Sequence, residues 1–134
     1  MSRVSGTGHA ELRLELVEGL PPVRTDPLVL RRILDNLIGN AVDSLAARAG
    51  RVTVSTGASG EAGVRVVVAD TGKGMTKEEL NRAFDDFYTT KPGGTGLGLS
   101  IVRRLVLDAN GALRVETQPG AGSTFIVELP VEGA

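Results

Sequence analysis

Residues 63–75 read GVRVVVADTGKGM, an apolar run that ends in a carboxylate and a glycine-rich turn. The run up to Ala69 has the length and β-branched content of a buried strand. A carboxylate directly after it, at Asp70, is costly to bury unless it accepts hydrogen bonds. A purine exocyclic amine is one such donor, and Gly72 and Gly74 would let a flat ring approach the backbone. A simple turn after a strand explains these residues equally well and, taken alone, is the commoner case.

The segment upstream is predicted to be a long amphipathic helix. Asp26 is a good N-cap and Pro27 a good first residue, so the helix is expected to begin there. Apolar residues then recur at helical spacing as far as about residue 48, and Gly50 is a natural stop. These apolar residues are Leu30, Leu34, Leu37, Ile38, Ala41 and Leu45.

That helix carries a polar stripe, because Asn36, Asn40 and Asp43 lie at i, i+4 and i+7. Asparagine is a poor helix former, and its amide is costly to bury without partners. Carboxamide oxygens are hard ligands, which suits a site for Mg²⁺ and phosphate. A solvated helix face or a helix cap explains this segment equally well when it is considered alone.

A second glycine-rich segment, KPGGTGLGL at residues 91–99, runs into another predicted helix. Such loops form anion sites because free N–H groups and the helix dipole point toward the ligand. Lys91 adds a positive charge for a terminal phosphate. The segment is not a P-loop, since the lysine precedes the glycines. A flexible structural loop is the alternative, and we expect about residues 89–96 to be disordered or variable without nucleotide.

The remaining patterns complete the predicted fold. Strands are expected at residues 11–16, 51–56, 63–69, 112–116 and 123–129. Thr76 and Glu79 form a capping box for a helix to about Phe84, and a longer helix follows over residues 99–109. The order β-α-β-β-α-loop-α-β-β predicts an α/β (α+β) two-layer sandwich, a mixed sheet with helices on one face. At 134 residues we expect a single domain, with residues 1–10 as a flexible lead-in.

Composition excludes several functional classes. The chain has no cysteine and one histidine, His9, which excludes disulfides, thiolate metal sites and histidine-rich metal sites. A net charge of −1 gives no sign of nucleic-acid binding. No run approaches the roughly 18 apolar residues that a membrane span needs. We therefore expect a cytoplasmic, monomeric domain without membrane contact, whether or not its parent protein is anchored in a membrane.

Five motifs, in their order along the chain, resemble those of the GHKL ATPase and kinase family. Its N box, G1 box, F box, G2 box and last glycine motif are similar to residues 36–41, 70–75, 84–91, 94–99 and 122–125. The F box has the form of nitrogen-regulation-type enzymes, so the chain resembles the catalytic domain of a bacterial sensor histidine kinase. The resemblance covers about residues 20–129. It implies the Bergerat fold, with a mixed sheet packed on three helices and ATP between the long helix and a mobile lid.

The resemblance also implies roles for individual residues. Asn40 would coordinate Mg²⁺, Asn36 would help to hold the metal and phosphates, and Lys91 would approach the terminal phosphates, which makes these three the catalytic candidates. Asp70 would accept the adenine amine, with Thr124 nearby through water. The implied nucleotide-binding set is Asn36, Asn40, Asp43, Asp70, Gly72, Gly74, Met75, Phe87, Thr89, Thr90, Lys91, Gly94, Thr95, Gly96, Leu97, Gly98, Leu99 and Thr124.

Three features lie at the margins of this implied site. Asp43 stands where some relatives have a lysine or arginine directed at phosphate, and so departs from that pattern. Phe84 and Phe87 would anchor the lid to the core. His9 lies in a run that resembles a phosphoacceptor box, but an extra residue and the strand pattern after it indicate a bystander.

The resemblance favours phosphoryl transfer over hydrolysis. ATP-hydrolysing relatives have a glutamate one turn before the metal asparagine, and Asn36, which cannot act as a base, stands there. The implied activity is donation of the γ-phosphoryl group of Mg-ATP to a histidine on a separate dimerisation domain of the parent protein, with a response regulator downstream. Without that domain we expect no autophosphorylation. A serine kinase of the anti-sigma-factor type and a nucleotide-responsive pseudokinase are the alternatives.

Overall fold

The computed structural model describes residues 2–3, 10–45, 49–60, 63–86 and 98–131. Its elements are β1 (Ser2–Arg3), β2 (Ala10–Glu15), α1 (Pro27–Ser44), β3 (Gly50–Ala58), β4 (Gly63–Asp70), α2 (Lys77–Arg82), α3 (Gly98–Asp108), β5 (Ala112–Gln118) and β6 (Gly122–Pro130). The six strands form one mixed sheet in the order β1-β2-β3-β4-β6-β5. The β2–β3 pair is parallel, and the other neighbouring pairs are antiparallel.

The core lies between one face of this sheet and the helices α1 and α3. Strands β3, β4 and β6 contribute Val52, Val68 and Phe125, which are fully buried and belong to one apolar cluster. Helix α1 contacts β3, β4 and β6, whereas α3 contacts β5 and α1. The buried residues of the two helices are Ile33, Leu37, Ala41, Ser100, Val102 and Val106. The predicted two-layer arrangement of a mixed sheet and helices is thus confirmed, although α2 contains no buried residue.

Helix α1 begins as predicted but ends earlier. The Asp26 carboxylate accepts a hydrogen bond from the Leu28 N–H at 2.8 Å, and Pro27 occupies the first turn. At the other end the Leu45 N–H bonds to the Val42 carbonyl at 3.1 Å, which tightens the last turn. The Leu45 side chain is then buried in the core. Gly50, expected to stop the helix, instead begins β3.

Strand β2 is where burial departs from the expected pattern. Strict alternation predicts one buried face, but only Leu12 packs against the core. Leu14 in the strand is 42% exposed, and Leu16 and Val17, just after it, are 57% and 53% exposed. The reason is position, because β2 lies outside β3 in the sheet and α1 covers β3, β4 and β6.

The shorter elements follow local sequence signals. The capping box of α2 is formed. The Thr76 N–H donates to the Glu79 carboxylate at 2.9 Å, and the Glu79 N–H donates to the Thr76 hydroxyl at 3.1 Å. Helix α3 ends at Asp108. Asn110, two residues later, has a φ of 60°, and the Gly111 N–H donates to the Val106 carbonyl at 2.9 Å. Over the described part of the chain, every helix is too short or too polar to cross a membrane.

Candidate functional site

Asp70 occupies the last position of β4, on the face of the sheet that packs against the helices. Its cross-strand partners are Val52 on β3 and Ser123 on β6, and its side chain is only 6% exposed. Oδ1 accepts a hydrogen bond from the Gly72 N–H at 2.8 Å. Among the described residues, none donates to the buried Oδ2. An acceptor of this kind lacks the partner that burial normally requires.

The protonation of Asp70 reflects this environment. Burial raises the pKa of the Asp70 carboxyl above its usual 3.8, because a buried charge loses its hydration. The Gly72 N–H, the nearby Ser44 hydroxyl and the Ser123 N–H lower the pKa and so oppose part of that rise. A further donor at Oδ2 would lower the pKa again and would favour the ionised form.

The loop after Asp70 is clamped between the end of α1 and the β5–β6 turn. The Lys73 N–H donates to the Ser44 carbonyl at 3.2 Å, and the Lys73 carbonyl accepts from the Gly120 N–H at 2.6 Å. A Cβ on Gly72 would overlap the Ser44 hydroxyl and lie 2.6 Å from its carbonyl oxygen. A Cβ on Gly74, whose φ is 65°, would overlap the Gln118 carbonyl oxygen. Close packing of the protein on itself therefore accounts for both glycines, without the ring approach that the sequence suggested.

The opposite end of the candidate site lies where α1 meets the beginning of α3. A Cβ on Gly98 would lie 3.7 Å from Asn36 Oδ1, so the Asn36 amide reaches the first residue of α3. Asn40, one turn further along α1, is half-buried. From Asn36 to Ser44 the helix rises about 12 Å, at roughly 1.5 Å per residue. Helix α1 thus connects the buried carboxylate of Asp70 to the N-terminus of α3, where the helix dipole favours an anion.

Thr124 is placed differently from the sequence expectation. It pairs with Ala69 on β4, and Ser123 pairs with Asp70. Because neighbouring residues of a strand point to opposite faces, Thr124 lies on the far side of the sheet from the Asp70 carboxylate. Ser123, which is buried, is the residue beside Asp70. We therefore replace Thr124 with Ser123 in the candidate site.

The other predicted residues fall into three groups. Asp43 is exposed on α1. Met75, Phe84 and Leu99 are partly buried against the core cluster, and the Met75 N–H also donates to Thr117 Oγ1 at 2.9 Å. The lid that Phe84 is expected to anchor lies outside the described residues, so that role stays a prediction. Outside the described residues lie His9, the loop expected at residues 89–96, and the site candidates Phe87, Thr89, Thr90, Lys91, Gly94, Thr95, Gly96 and Leu97.

Two residues of the site escaped the sequence interpretation. Ser44 follows Asn40 by four residues, so helical spacing could have added it to the polar stripe. Ser123 could not be distinguished from Thr124 without the β4–β6 register, because both are hydroxyl residues at the start of the same strand.

The candidate site also contains oxygen atoms of the kind that bind a metal ion. The described residues contain no cluster of three or more His, Cys, Asp or Glu side chains that could hold a metal. Asn36 and Asn40 nevertheless offer neutral carboxamide oxygens on one helix face. Mg²⁺ accepts such ligands when phosphate oxygens and water complete its octahedral shell. The side chains therefore fit Mg²⁺ carried in with a polyphosphate.

Comparisons with known proteins agree with this geometry. The family model for histidine kinase-, DNA gyrase B-, and HSP90-like ATPases matches residues 25–133. Over 131 residues the chain is 37% identical to the sensor histidine kinase ZraS of Escherichia coli K12, covering 98% of this chain and 28% of that protein. It is 32% identical to sporulation kinase E of Bacillus subtilis 168, covering 92% of this chain and 16% of that protein. The chain thus spans less than a third of the length of either relative.

Solved structures show the same similarity. Full-length ShkA in complex with AMPPNP superposes with a TM-score of 0.80 at 36% identity, covering 93% of this chain and 27% of that one. The catalytic domain of the histidine kinase ThkA, in a nucleotide-free form, superposes with a TM-score of 0.79 at 30% identity, covering 91% of this chain and 79% of that one.

Proposed function

Since the chain belongs to the histidine kinase-, DNA gyrase B-, and HSP90-like ATPase family, we propose that it binds Mg-ATP and donates the γ-phosphoryl group to a histidine. That histidine would lie on a dimerisation domain of the parent protein, and a response regulator would receive the phosphoryl group next. Sensor histidine kinases are the relatives that support this reading.

The observation that carries the proposal is the buried Asp70 carboxylate with an Oδ2 that no described residue satisfies. An amine donor such as the exocyclic N–H₂ of adenine would satisfy it. Guanine and hypoxanthine present a carbonyl oxygen at that position, which a carboxylate repels. The arrangement therefore favours adenine over 6-oxo purines.

The phosphates would lie toward the other end of α1. Asn36 is close to the N-terminal residue of α3, whose free N–H groups suit phosphate oxygens. Asn40 and Asn36 are the proposed protein ligands of Mg²⁺, which when bound would neutralise phosphate charge during transfer. Lys91, which lies outside the described residues, remains the proposed contact to the terminal phosphates.

Transfer is favoured over hydrolysis because the helix offers no base one turn before Asn40. Asn36, one turn before it, carries an amide that cannot accept a proton from water at neutral pH. The neighbouring Asp35 is 73% exposed and lies 3.9 Å from Arg31 on the solvent side of α1. The reacting phosphoryl group is therefore left for an acceptor that another domain supplies.

Calorimetric titration tests the nucleotide site first. We expect ATP and ADP to bind more tightly than GTP and ITP, and Mg²⁺ to strengthen the binding of ATP. Failure to bind any nucleotide would refute the proposal at its first step.

Phosphoryl transfer is tested by adding a histidine-bearing dimerisation domain from a similar kinase to the chain with γ-labelled ATP. We expect label on that domain that is lost in acid and retained in alkali, as a phosphoramidate behaves. Acid-stable label on a partner protein would indicate a serine kinase instead. Tight ATP binding without transfer to any acceptor domain would indicate a nucleotide-responsive binding module.

A further inference from the structure

Thr117, Ser123 and Asp70 form one row across three neighbouring strands. Ser123 on β6 pairs with Asp70 on β4 and with Thr117 on β5. Side chains directly opposite one another on antiparallel strands share a face of the sheet, with Cβ atoms about 4.5–5.5 Å apart. Ser123 and Asp70 are each only 6% exposed. A buried hydroxyl thus lies beside the buried carboxylate, and yet none of the described residues donates to Asp70 Oδ2.

The hydroxyl of Thr117 accounts for this arrangement. Its Oγ1 accepts the Met75 N–H at 2.9 Å and donates to the Gly122 carbonyl at 3.1 Å. The same oxygen lies 2.8 Å from Ser123 Oγ. A hydroxyl has one proton and two lone pairs, whereas a carbonyl can only accept. The Gly122 carbonyl therefore takes the Thr117 proton, and the Met75 N–H occupies one lone pair. Ser123 is then the donor to the lone pair that is left.

The hydrogen bond to Thr117 uses the only proton of the Ser123 hydroxyl. Toward every other group, Ser123 then offers lone pairs alone. It has no proton for Asp70 Oδ2, which stays an acceptor without a donor among the residues that the structure describes. A ligand that enters beside Asp70 consequently meets acceptors, and a group that carries N–H protons satisfies them.

We propose that Thr117 is a positioning residue for base recognition: by accepting the Ser123 proton, its hydroxyl keeps Asp70 Oδ2 open for the 6-amino group of adenine. This inference rests on the proposed nucleotide function. It adds a determinant of specificity on β5, a strand for which the sequence predicted no site residue. In this role Thr117 acts through Ser123 rather than through contact with the nucleotide.

The test is Thr117→Val, which nearly keeps the shape of the side chain and removes the hydroxyl. Without its acceptor, the Ser123 proton is free to turn to Asp70 Oδ2 and compete with adenine. We expect ATP binding in Mg²⁺ to weaken roughly threefold to tenfold, the equivalent of one modest hydrogen bond. ITP has an oxygen in place of the 6-amino group and loses no such bond, so the ratio of the ATP affinity to the ITP affinity falls. Calorimetric titration measures both affinities.

A second substitution shows whether the effect passes through Ser123. The Met75 N–H also loses its acceptor in Thr117→Val, but that loss acts on the loop and affects ATP and ITP alike. Ser123→Ala has no hydroxyl proton to redirect, so adding Thr117→Val to it should leave the affinity ratio unchanged. A double-mutant cycle isolates this dependence. An equal fall in the ratio with and without Ser123 would show that Thr117 only supports the fold, and would overturn the inference.

Further variants separate the hydroxyl of Thr117 from its packing. Thr117→Ser retains the hydroxyl and should restore most of the preference for ATP. Thr53→Val is the matched control, because Thr53 is a half-buried residue of β3 that pairs with Ala69, on the opposite face of the sheet from Asp70. Its affinity ratio should equal that of the parent. Urea unfolding checks that each variant is folded. If Thr117→Val is not, Thr117→Cys, whose thiol is a weak acceptor, replaces it with a smaller expected fall in the ratio.

Failure of the inference and failure of the proposed function have different signatures. If the parent chain discriminates ATP from ITP and Asp70→Asn abolishes that preference, the proposed base site stands. An unchanged affinity ratio in Thr117→Val would then reject the role of Thr117 alone. If the parent chain itself shows no preference for ATP, both the base site and the inference are rejected.

Discussion

At the scale of single residues, Asp70 shows how a binding group opposes folding. Its carboxylate is 6% exposed, and burial raises its pKa. The folded state therefore holds the proton more tightly than the unfolded state does. It follows that this group lowers the free energy of unfolding as the pH rises from about 3.8 through the raised pKa. At pH values above the raised pKa the full penalty is present unless a ligand donates to Oδ2.

We expect Asp70→Asn to weaken ATP binding at least tenfold, since a hydrogen bond to a charged acceptor is lost. Its free energy of unfolding at pH 7 should equal or exceed that of the parent, because the amide oxygen still accepts the Gly72 N–H without carrying a charge. The difference in the free energy of unfolding between the variant and the parent should shrink as the pH falls toward 3.8. Urea titrations at several pH values and calorimetry with ATP measure both effects. A variant that unfolds more easily than the parent at pH 7 would contradict this reading of Asp70.

Asn40 is predicted to act through the metal. Asn40→Ala should weaken ATP binding in Mg²⁺ by roughly tenfold and so remove most of the increase in affinity that Mg²⁺ produces. ATP binding without the metal should change little. Asn81→Ala, on the exposed face of α2, is the matched control and should behave like the parent. Titrations with ATP in EDTA and in excess Mg²⁺ measure the ATP affinity without and with the metal. If Asn40→Ala kept the full response to Mg²⁺, the proposed metal ligand would be wrong.

At the scale of elements, the base end of the site depends on a loop held from two sides. Gly72 faces the last residue of α1, and Gly74 faces the backbone of β5. The loop backbone is hydrogen-bonded to both neighbours, at the Ser44 carbonyl and the Gly120 N–H. A shift of α1 relative to the β5–β6 turn would therefore displace the loop and, with it, the orientation of Asp70.

A pair of glycine substitutions isolates this packing from backbone strain. Gly74 and Gly60 have φ values of 65° and 67°, but a Cβ on Gly60 meets nothing within 4 Å. Gly60→Ala should lower the free energy of unfolding by about 1 kcal/mol, the cost of the left-handed conformation alone. Gly74→Ala should lower it by at least about 2 kcal/mol more, because its Cβ overlaps the Gln118 carbonyl oxygen. Equal losses in the two variants, measured by urea unfolding, would mean that the loop can move away from β5.

At the scale of the whole molecule, stability comes from the layer between the sheet and the two long helices. Strand β2 and the residues just after it add little apolar burial, since Leu14 and Leu16 remain largely exposed. Leu37→Ala should therefore cost about 2–5 kcal/mol, whereas Leu16→Ala should change the free energy of unfolding by less than about 0.5 kcal/mol. Urea unfolding of the two variants checks this contrast. A large loss in Leu16→Ala would show that its side chain is covered in solution.

The order of elements and the motifs on them could be read from the chain, because they depend on local signals. The Asp26-Pro27 start of α1, the Thr76–Glu79 capping box and the Pro119-Gly120 turn each lie within a few residues of the element they define. Asp70 was found because a carboxylate at the end of a buried strand needs a partner wherever the strand lies. The Asn36–Asn40 stripe was found because helical spacing is periodic.

Contacts between distant segments required the folded chain. Only the β4–β6 register distinguishes Ser123 from Thr124, since a shift of one residue moves a side chain to the opposite face of the sheet. The exposure of Leu14 follows from the position of β2 outside the helices, which alternation along the strand does not encode. The meeting of Ser44 with Gly72 joins residues 28 positions apart in the sequence. Local patterns thus determine which groups are available for chemistry, whereas the packing of α1 against the sheet determines which of them meet.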